Sequence, residues 1–160
     1  MIDTPVARAD GCAMADVADF HRDFLPRFID AQRSYHCGDA EPNNALWSAT
    51  DPVSLFAARG LSGVGTEDVA KTFRLVATWF SDLRSYEWEL LVSDVSGDLA
   101  YTVAIERYTA SREGRPPAPT ELRATHVYRR EDGHWKAVHR HADLRPSGDW
   151  PSLPDLRPTA

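Results

Sequence analysis

From Asp16 the apolar residues Val17, Phe20, Phe24, Phe28, Ala31 and Tyr35 recur three or four positions apart, which predicts a helix with one buried stripe. Pro26 interrupts this run, yet the stripe keeps its phase on both sides, so the pattern predicts one helix kinked at the proline. Gly38 stands where a left-handed C-terminal cap belongs. A short helical turn is expected over 42–47, a short strand over 51–60, and a glycine-rich loop over LSGVG, 61–65. Thr66 is suited to cap a second long helix, with Glu67 and Asp68 against the positive end of its dipole. Val69, Phe73, Val76 and Phe80 give that helix its buried face. The period then changes from 3.6 to 2. Alternation predicts strands over 86–95, 98–109, 121–130 and 135–144, turned at Ser96-Gly97, through the polar loop 111–119, and at Asp132-Gly133.

Helices followed by hairpin-linked strands specify an α+β domain with an antiparallel meander. One face of the meander must cover the two amphipathic helices. A curved sheet wrapped over helices leaves a cone-shaped interior, where small ligands bind. The expected organisation is a leader over 1–13, the domain over 14–144, and a proline-rich tail over 145–160. That tail carries four prolines, with Trp150 placed to pack on the body.

Composition narrows the partners. The chain has 160 residues, 42% hydrophobic and 26% charged, which suits one soluble domain with a real core. Its formal net charge of −6 offers no basic surplus to displace phosphate counterions, so a nucleic-acid partner is not expected. No apolar run approaches the roughly 20 residues that span a bilayer. The start lacks a basic segment followed by an apolar core, so a cytoplasmic location is expected. Cys12 and Cys37 form neither a disulfide framework nor a zinc knuckle.

The stretch THVYRREDGHWKAVHRHAD, 125–143, holds four of the six histidines. His139 and His141 share a strand face and start about 7 Å apart, close enough to share a metal. Asp143 starts about 13 Å from His139, too far for the same ion on a straight strand. His126 is the remaining candidate ligand. The alternative is that the pair packs at the outer sheet face or a dimer interface, hydrogen-bonded to neighbours, and on that reading no metal is expected. Among the aromatics, Tyr35, Trp47, Trp79 and Tyr128 are candidates to line an apolar mouth, against the alternative that they are core. Trp135 reads as a hairpin anchor and Arg129 to Asp132 as solvated charge.

Strand parity decides the rest. Ala100, Thr102, Ala104 and Glu106 oppose Tyr101, Val103, Ile105 and Arg107. Ala124, His126, Tyr128 and Arg130 oppose Arg123, Thr125, Val127 and Arg129. Val138, Arg140 and Ala142 oppose Ala137, His139, His141 and Asp143. Apolarity alone turns Tyr101, Val103 and Ile105 inward.

The element order, together with YHCGD (35–39), GDLAYTVAIER (97–107) and the final histidine-rich hairpin, resembles the SnoaL-like branch of the nuclear transport factor 2-like superfamily. The hairpin is also similar to the association domain of calcium/calmodulin-dependent protein kinase. The ketosteroid isomerases of this superfamily use a tyrosine and two aspartates. The matching positions here are Ala31, Phe56 and Thr125, so steroid isomerisation by that triad is not expected. The kinase domain's pocket-lining arginines match Glu106, His126 and Ala142. The resemblance therefore implies that this face is the inner one, with Arg140 inside as well and small alanines leaving room for a ligand.

On that parity Glu106, His126 and Arg140 converge as a candidate catalytic trio, able to pass protons near neutrality. The alternative is a buried ion pair bonded to His126 as polar glue. Three functions stay open. The first is a cofactor-free isomerase, cyclase, dehydratase or hydrolase acting on a small, mostly apolar molecule. The second is a non-catalytic ligand-binding or homo-oligomerisation module. The third is a His-x-His metalloprotein. A homodimer through the outer sheet face is the expected assembly, with a small molecule as the other partner.

Overall fold

The structure, a computed structural model, describes residues 17–144; the expected leader over 1–13, Cys12 and the expected tail over 145–160 lie outside the described residues. A π-helical turn, Phe20–Phe24, leads directly into α1, Leu25–His36. The next elements are α2 (Glu41–Leu46), β1 (Ser54–Phe56), β2 (Ser62–Val64) and α3 (Thr66–Ala77). Four long strands close the order: β3 (Phe80–Ser96), β4 (Leu99–Arg112), β5 (Ala118–Glu131) and β6 (His134–Leu144). They form one six-stranded sheet in the order β2-β1-β6-β5-β4-β3. All neighbours are antiparallel except β1 and β6, which run parallel. This is the expected α+β architecture, a bent, mostly antiparallel sheet with helices in its hollow.

Several local expectations change. Pro26 does not kink an α-helix. It sits in the first turn of α1, and the chain ahead of it widens into the π-turn, where the Leu25 N–H donates to the Phe20 carbonyl. Proline cannot donate to the carbonyl four residues back, and its ring crowds that carbonyl, so a widened turn accommodates it without losing the apolar phase. Gly38 does end the helix, at φ 99°, with the Asp39 N–H reaching the Ser34 carbonyl at 3.1 Å. LSGVG is not a loop: residues 62–64 pair with β1. Its buried Gly63 marks a close approach, since a Cβ there would lie 3.2 Å from the Asp68 backbone at the start of α3. Thr66 is the first helical residue rather than the cap, and its N–H donates to the Asp51 carboxylate at 2.9 Å. The meander strands run longer than alternation indicated, with β3 beginning at Phe80.

The core is laid down by the helix stripe against the inner face of the sheet. Phe20, Phe24 and Phe28 surround the ring of Tyr128 on β5, with centroids 5.1, 5.3 and 5.3 Å away. Full burial of one such phenylalanine stabilises by about 1.5–3 kcal/mol. Irregularities in the β3–β4 register, between Ser81 and Ser85 and between Leu90 and Val92, help bend the sheet around this stripe.

Candidate functional site

Register sets the site. Thr102, His126 and Arg140 form one cross-strand row; Ala104, Ala124 and Ala142 form the next; Glu106, Leu122 and Leu144 form the third. All nine lie on the inner face, and the two alternatives of parity are resolved in favour of the polar one for β4 and β5. On β6 the parity is broken. Val127 pairs with His139 and Tyr128 with Ala137, so Val138 is bulged, and Ala137, expected outside, is fully buried.

The alanine row explains how a guanidinium on β6 meets a carboxylate two strands away. Arg140 crosses the space above Ala124, so that room is taken by the protein's own arginine rather than left for a ligand. Its Nη1 and Nη2 donate to Glu106 Oε1 and Oε2 at 2.5 and 2.9 Å. Nη1 also lies 2.8 Å from His126 Nε2. A guanidinium can only donate, so Nε2 accepts and the imidazole proton sits on Nδ1, which has no partner among the described residues.

Charge states follow from burial and pairing. Burial alone would raise the Glu106 carboxyl, but the charge and two hydrogen bonds of Arg140 outweigh it and pull the group down to about 2. Burial works against the charge on Arg140, yet Glu106 holds it above the ordinary guanidinium range. Burial, with Arg140 alongside, pushes His126 down to about 3. At neutral pH the trio is a carboxylate, a guanidinium and a neutral imidazole.

An inner cavity of about 60 Å³ lies beside the trio. Arg140 borders it; Glu106 and His126 do not, and lie behind the guanidinium. Most of the lining is apolar: Leu55, Phe73, Val76, Phe80, Leu122 and Leu144. Of the aromatic candidates, Tyr35 and Trp79 line it. Trp47 and Tyr128 are core instead. Trp47 packs on Phe73 at 5.0 Å, and the Tyr128 hydroxyl lies 2.9 Å from Thr102 Oγ1. Both point where the helices need filling, which a count of aromatics does not reveal.

His36, Tyr108, Arg59 and Arg112 also line the cavity, none of them a candidate from the sequence. Tyr108 continues the inward parity of Glu106, so that signal was available. His36 stands in the quoted YHCGD run, one position from Tyr35. Its Nδ1 lies 2.7 Å from the Gln32 carbonyl, an obligate acceptor, so Nδ1 carries the proton and Nε2 the lone pair. Its ring is enclosed by Tyr108 at 4.4 Å, Phe80 at 4.8 Å and Tyr86 at 5.1 Å, and burial pushes it down to about 4.

His139 and His141 are on the outer face. His139 Nδ1 meets Ser54 Oγ at 2.8 Å, and both rings stand edge-on to Phe56. Among the described residues no group of three histidine, cysteine or carboxylate side chains is placed to hold a metal ion. The expected solvated run at Arg129 is instead a partly buried network: Arg129 joins Glu131, which also accepts from Ser48 Oγ at 2.7 Å. Arg130 covers the Trp135 ring at 4.6 Å.

The model of the SnoaL-like domain matches residues 22–143, the whole span from the helix stripe to the end of the closing hairpin. The chain belongs to the SnoaL-like family. No curated protein matches this SnoaL-like chain. Solved structures resemble it in fold. A nuclear transport factor 2-like superfamily protein from Salmonella enterica serovar Typhimurium has a TM-score of 0.68 at 19% identity, over 86% of this chain and 97% of that one. A candidate dehydratase of the same superfamily from Streptomyces avermitilis gives 0.67 at 21%, over 82% and 99%. A candidate calcium/calmodulin-dependent protein kinase type II association domain from Thiobacillus denitrificans gives 0.62 at 21%, over 76% and 91%. At these identities the likeness is one of fold. In the SnoaL-like chain the isomerase-matched positions are scattered: Ala31 is core, Phe56 is 47% exposed, and Thr125 is on the outer face. No described helix is long and apolar enough to cross a membrane.

Proposed function

We propose that this SnoaL-like protein takes a small, mostly apolar molecule into the cavity beside Arg140 and carries out cofactor-free proton transfer on it, as an isomerase, lyase or hydrolase would. One observation carries the reading: a guanidinium held on both sides, by Glu106 and His126, borders a largely apolar cavity. A pre-oriented cation in a dry site stabilises an oxyanion or enolate as its charge develops, without reorganising. The neutral imidazole of His36, with Nδ1–H engaged, offers Nε2 as the proton acceptor on the same cavity wall. Glu106 and His126 serve here as positioning residues for Arg140, because neither borders the cavity. A small cyclic ketone in D₂O tests this. Wild type should catalyse deuterium exchange at its α-carbon, Arg140→Lys and His36→Phe should lose it, and Leu55→Trp should also block binding. Exchange that persists in His36→Phe removes the base; binding unaffected by Leu55→Trp removes the pocket.

A second reading, self-association through the outer sheet face, is favoured by a cross-strand row on that face. Val92 pairs with Val103, Val103 with Thr125, Thr125 with His141, and His141 with Phe56. Val92 and Phe56 are each about half exposed, and Tyr101 is 39% exposed. A twofold mass in solution that Val103→Lys reduces to one chain supports this assembly; a monomer at all concentrations counts against it.

A further inference from the structure

The rim of the cavity differs from its floor. On the floor, Arg140 is tightly ion-paired with Glu106. At the rim stand Arg59, on the turn between β1 and β2, and Arg112, the last residue of β4. Among the described residues no aspartate or glutamate lines the cavity, in a chain whose net charge is −6. Three other arginines have a carboxylate close by: Arg107 has Glu89 at 2.6 Å and Glu121 at 2.8 Å, Arg129 has Glu131 at 2.5 Å, and Arg140 has Glu106 at 2.5 Å. Among the described residues Arg112 has only Glu113, at 3.8 Å, although its side chain is just 19% exposed. A largely buried guanidinium beside a second one, with its one carboxylate held at 3.8 Å rather than in a close pair, is an arrangement that an anion improves.

We infer that Arg59 and Arg112 form an anion-selecting rim, and that the ligand of this cavity is a short-chain carboxylic acid: an apolar tail inside, its carboxylate between the two guanidiniums. The lining agrees with the charge: below the rim the walls are mostly apolar, from Leu55, Phe73, Val76 and Leu122, which suits a short hydrocarbon tail. The electrostatics agree as well, because burial and the proximity of Arg59 both work against the charge on Arg112. Guanidinium forks suit carboxylates because two parallel N–H groups match the two oxygens.

The inference rests on the cavity reading above and narrows it to one ligand class. Butyrate and butyramide provide the test, since they share a shape and differ in charge at neutral pH. The probe is the Trp79 indole N–H resonance, identified by its loss in Trp79→Phe. Butyrate should bind at least about tenfold more tightly than butyramide, and high salt should narrow the gap. Arg59→Gln combined with Arg112→Gln should abolish the preference, while Arg112→Lys, which keeps the charge, should retain most of it. Melting curves establish that each variant is folded. Equal binding of acid and amide, or a preference indifferent to the double variant, overturns the anion rim. If small ketones bind and butyrate does not, the rim inference alone fails. If none of these molecules moves the resonance, the cavity reading fails with it.

Discussion

Glu106 is fully buried and its two oxygens are both taken by Arg140, so its worth to the molecule is tied to that one partner. Glu106→Gln keeps the shape but leaves a guanidinium unneutralised in the interior. It should lower unfolding free energy by about 3–5 kcal/mol in urea titrations, because breaking a buried pair exposes the desolvation cost of the surviving charge. Replacing both partners, Glu106→Leu with Arg140→Met, should recover most of that loss, short of about 1–3 kcal/mol for the stranded His126 Nε2. The double variant should nevertheless lose the ketone exchange proposed above. A single variant as stable as wild type would mean that the pair does not hold the inner face together. The sequence placed these three residues on one inner surface only through the family likeness. Tyr101, Val103 and Ile105 are more apolar than Thr102, Ala104 and Glu106, and hydrophobicity by itself pointed the wrong way. The inner face can be polar because its charges cancel within it.

At the scale of elements, periodicity located the helices and the meander, and the misses have local causes. Pro26 is compatible with an unbroken stripe because a π-turn absorbs it, and no pattern of apolar residues distinguishes that turn from a kink. SGV reads as a loop by composition, yet its glycine is there for the passage of β2 against α3, a tertiary fact. The bulge at Val138 reverses parity for Ala137, and nothing in KAVHRH announces it. The cavity lies where several elements end: the end of α1 gives Tyr35 and His36, the β1–β2 turn gives Arg59, the residues after α3 give Trp79, and β4 gives Tyr108 and Arg112. A site assembled from element ends is the hardest to read from one sequence, since each contributor depends on where a neighbour stops. His36 shows this. Nothing in its own surroundings in the chain says that β4 will bring Tyr108 against its ring.

At the scale of the whole molecule, the described residues include two buried neutral histidines and one buried carboxylate, and these shape the response to acid. His36 and His126 titrate near 6.5 when unfolded, but are pushed down to about 4 and about 3 by burial in the fold. The unfolded chain therefore binds more protons below pH 6.5, and the stability these residues contribute is complete above that value and drains away as pH falls towards 4 and 3. Glu106 follows in a lower window: its carboxyl falls from 4.5 to about 2 on folding, so its contribution is lost between those values. Two protons taken up on unfolding correspond to a slope of about 2.7 kcal/mol per pH unit between about pH 5.5 and 4.5. Urea titrations at half-unit intervals from pH 7 to 4.5 should show this fall, well above the pI of 5.4 at its onset and continuing below it, so net charge is not its origin. His36→Phe, whose ring suits the aromatic surroundings of that site, should halve the slope while leaving the neutral-pH fold intact. A profile flat from pH 6 to 5 would mean that these imidazoles reach solvent or a carboxylate in solution. They would then not be the neutral groups on which the proposed proton acceptor and the orientation of Arg140 both depend.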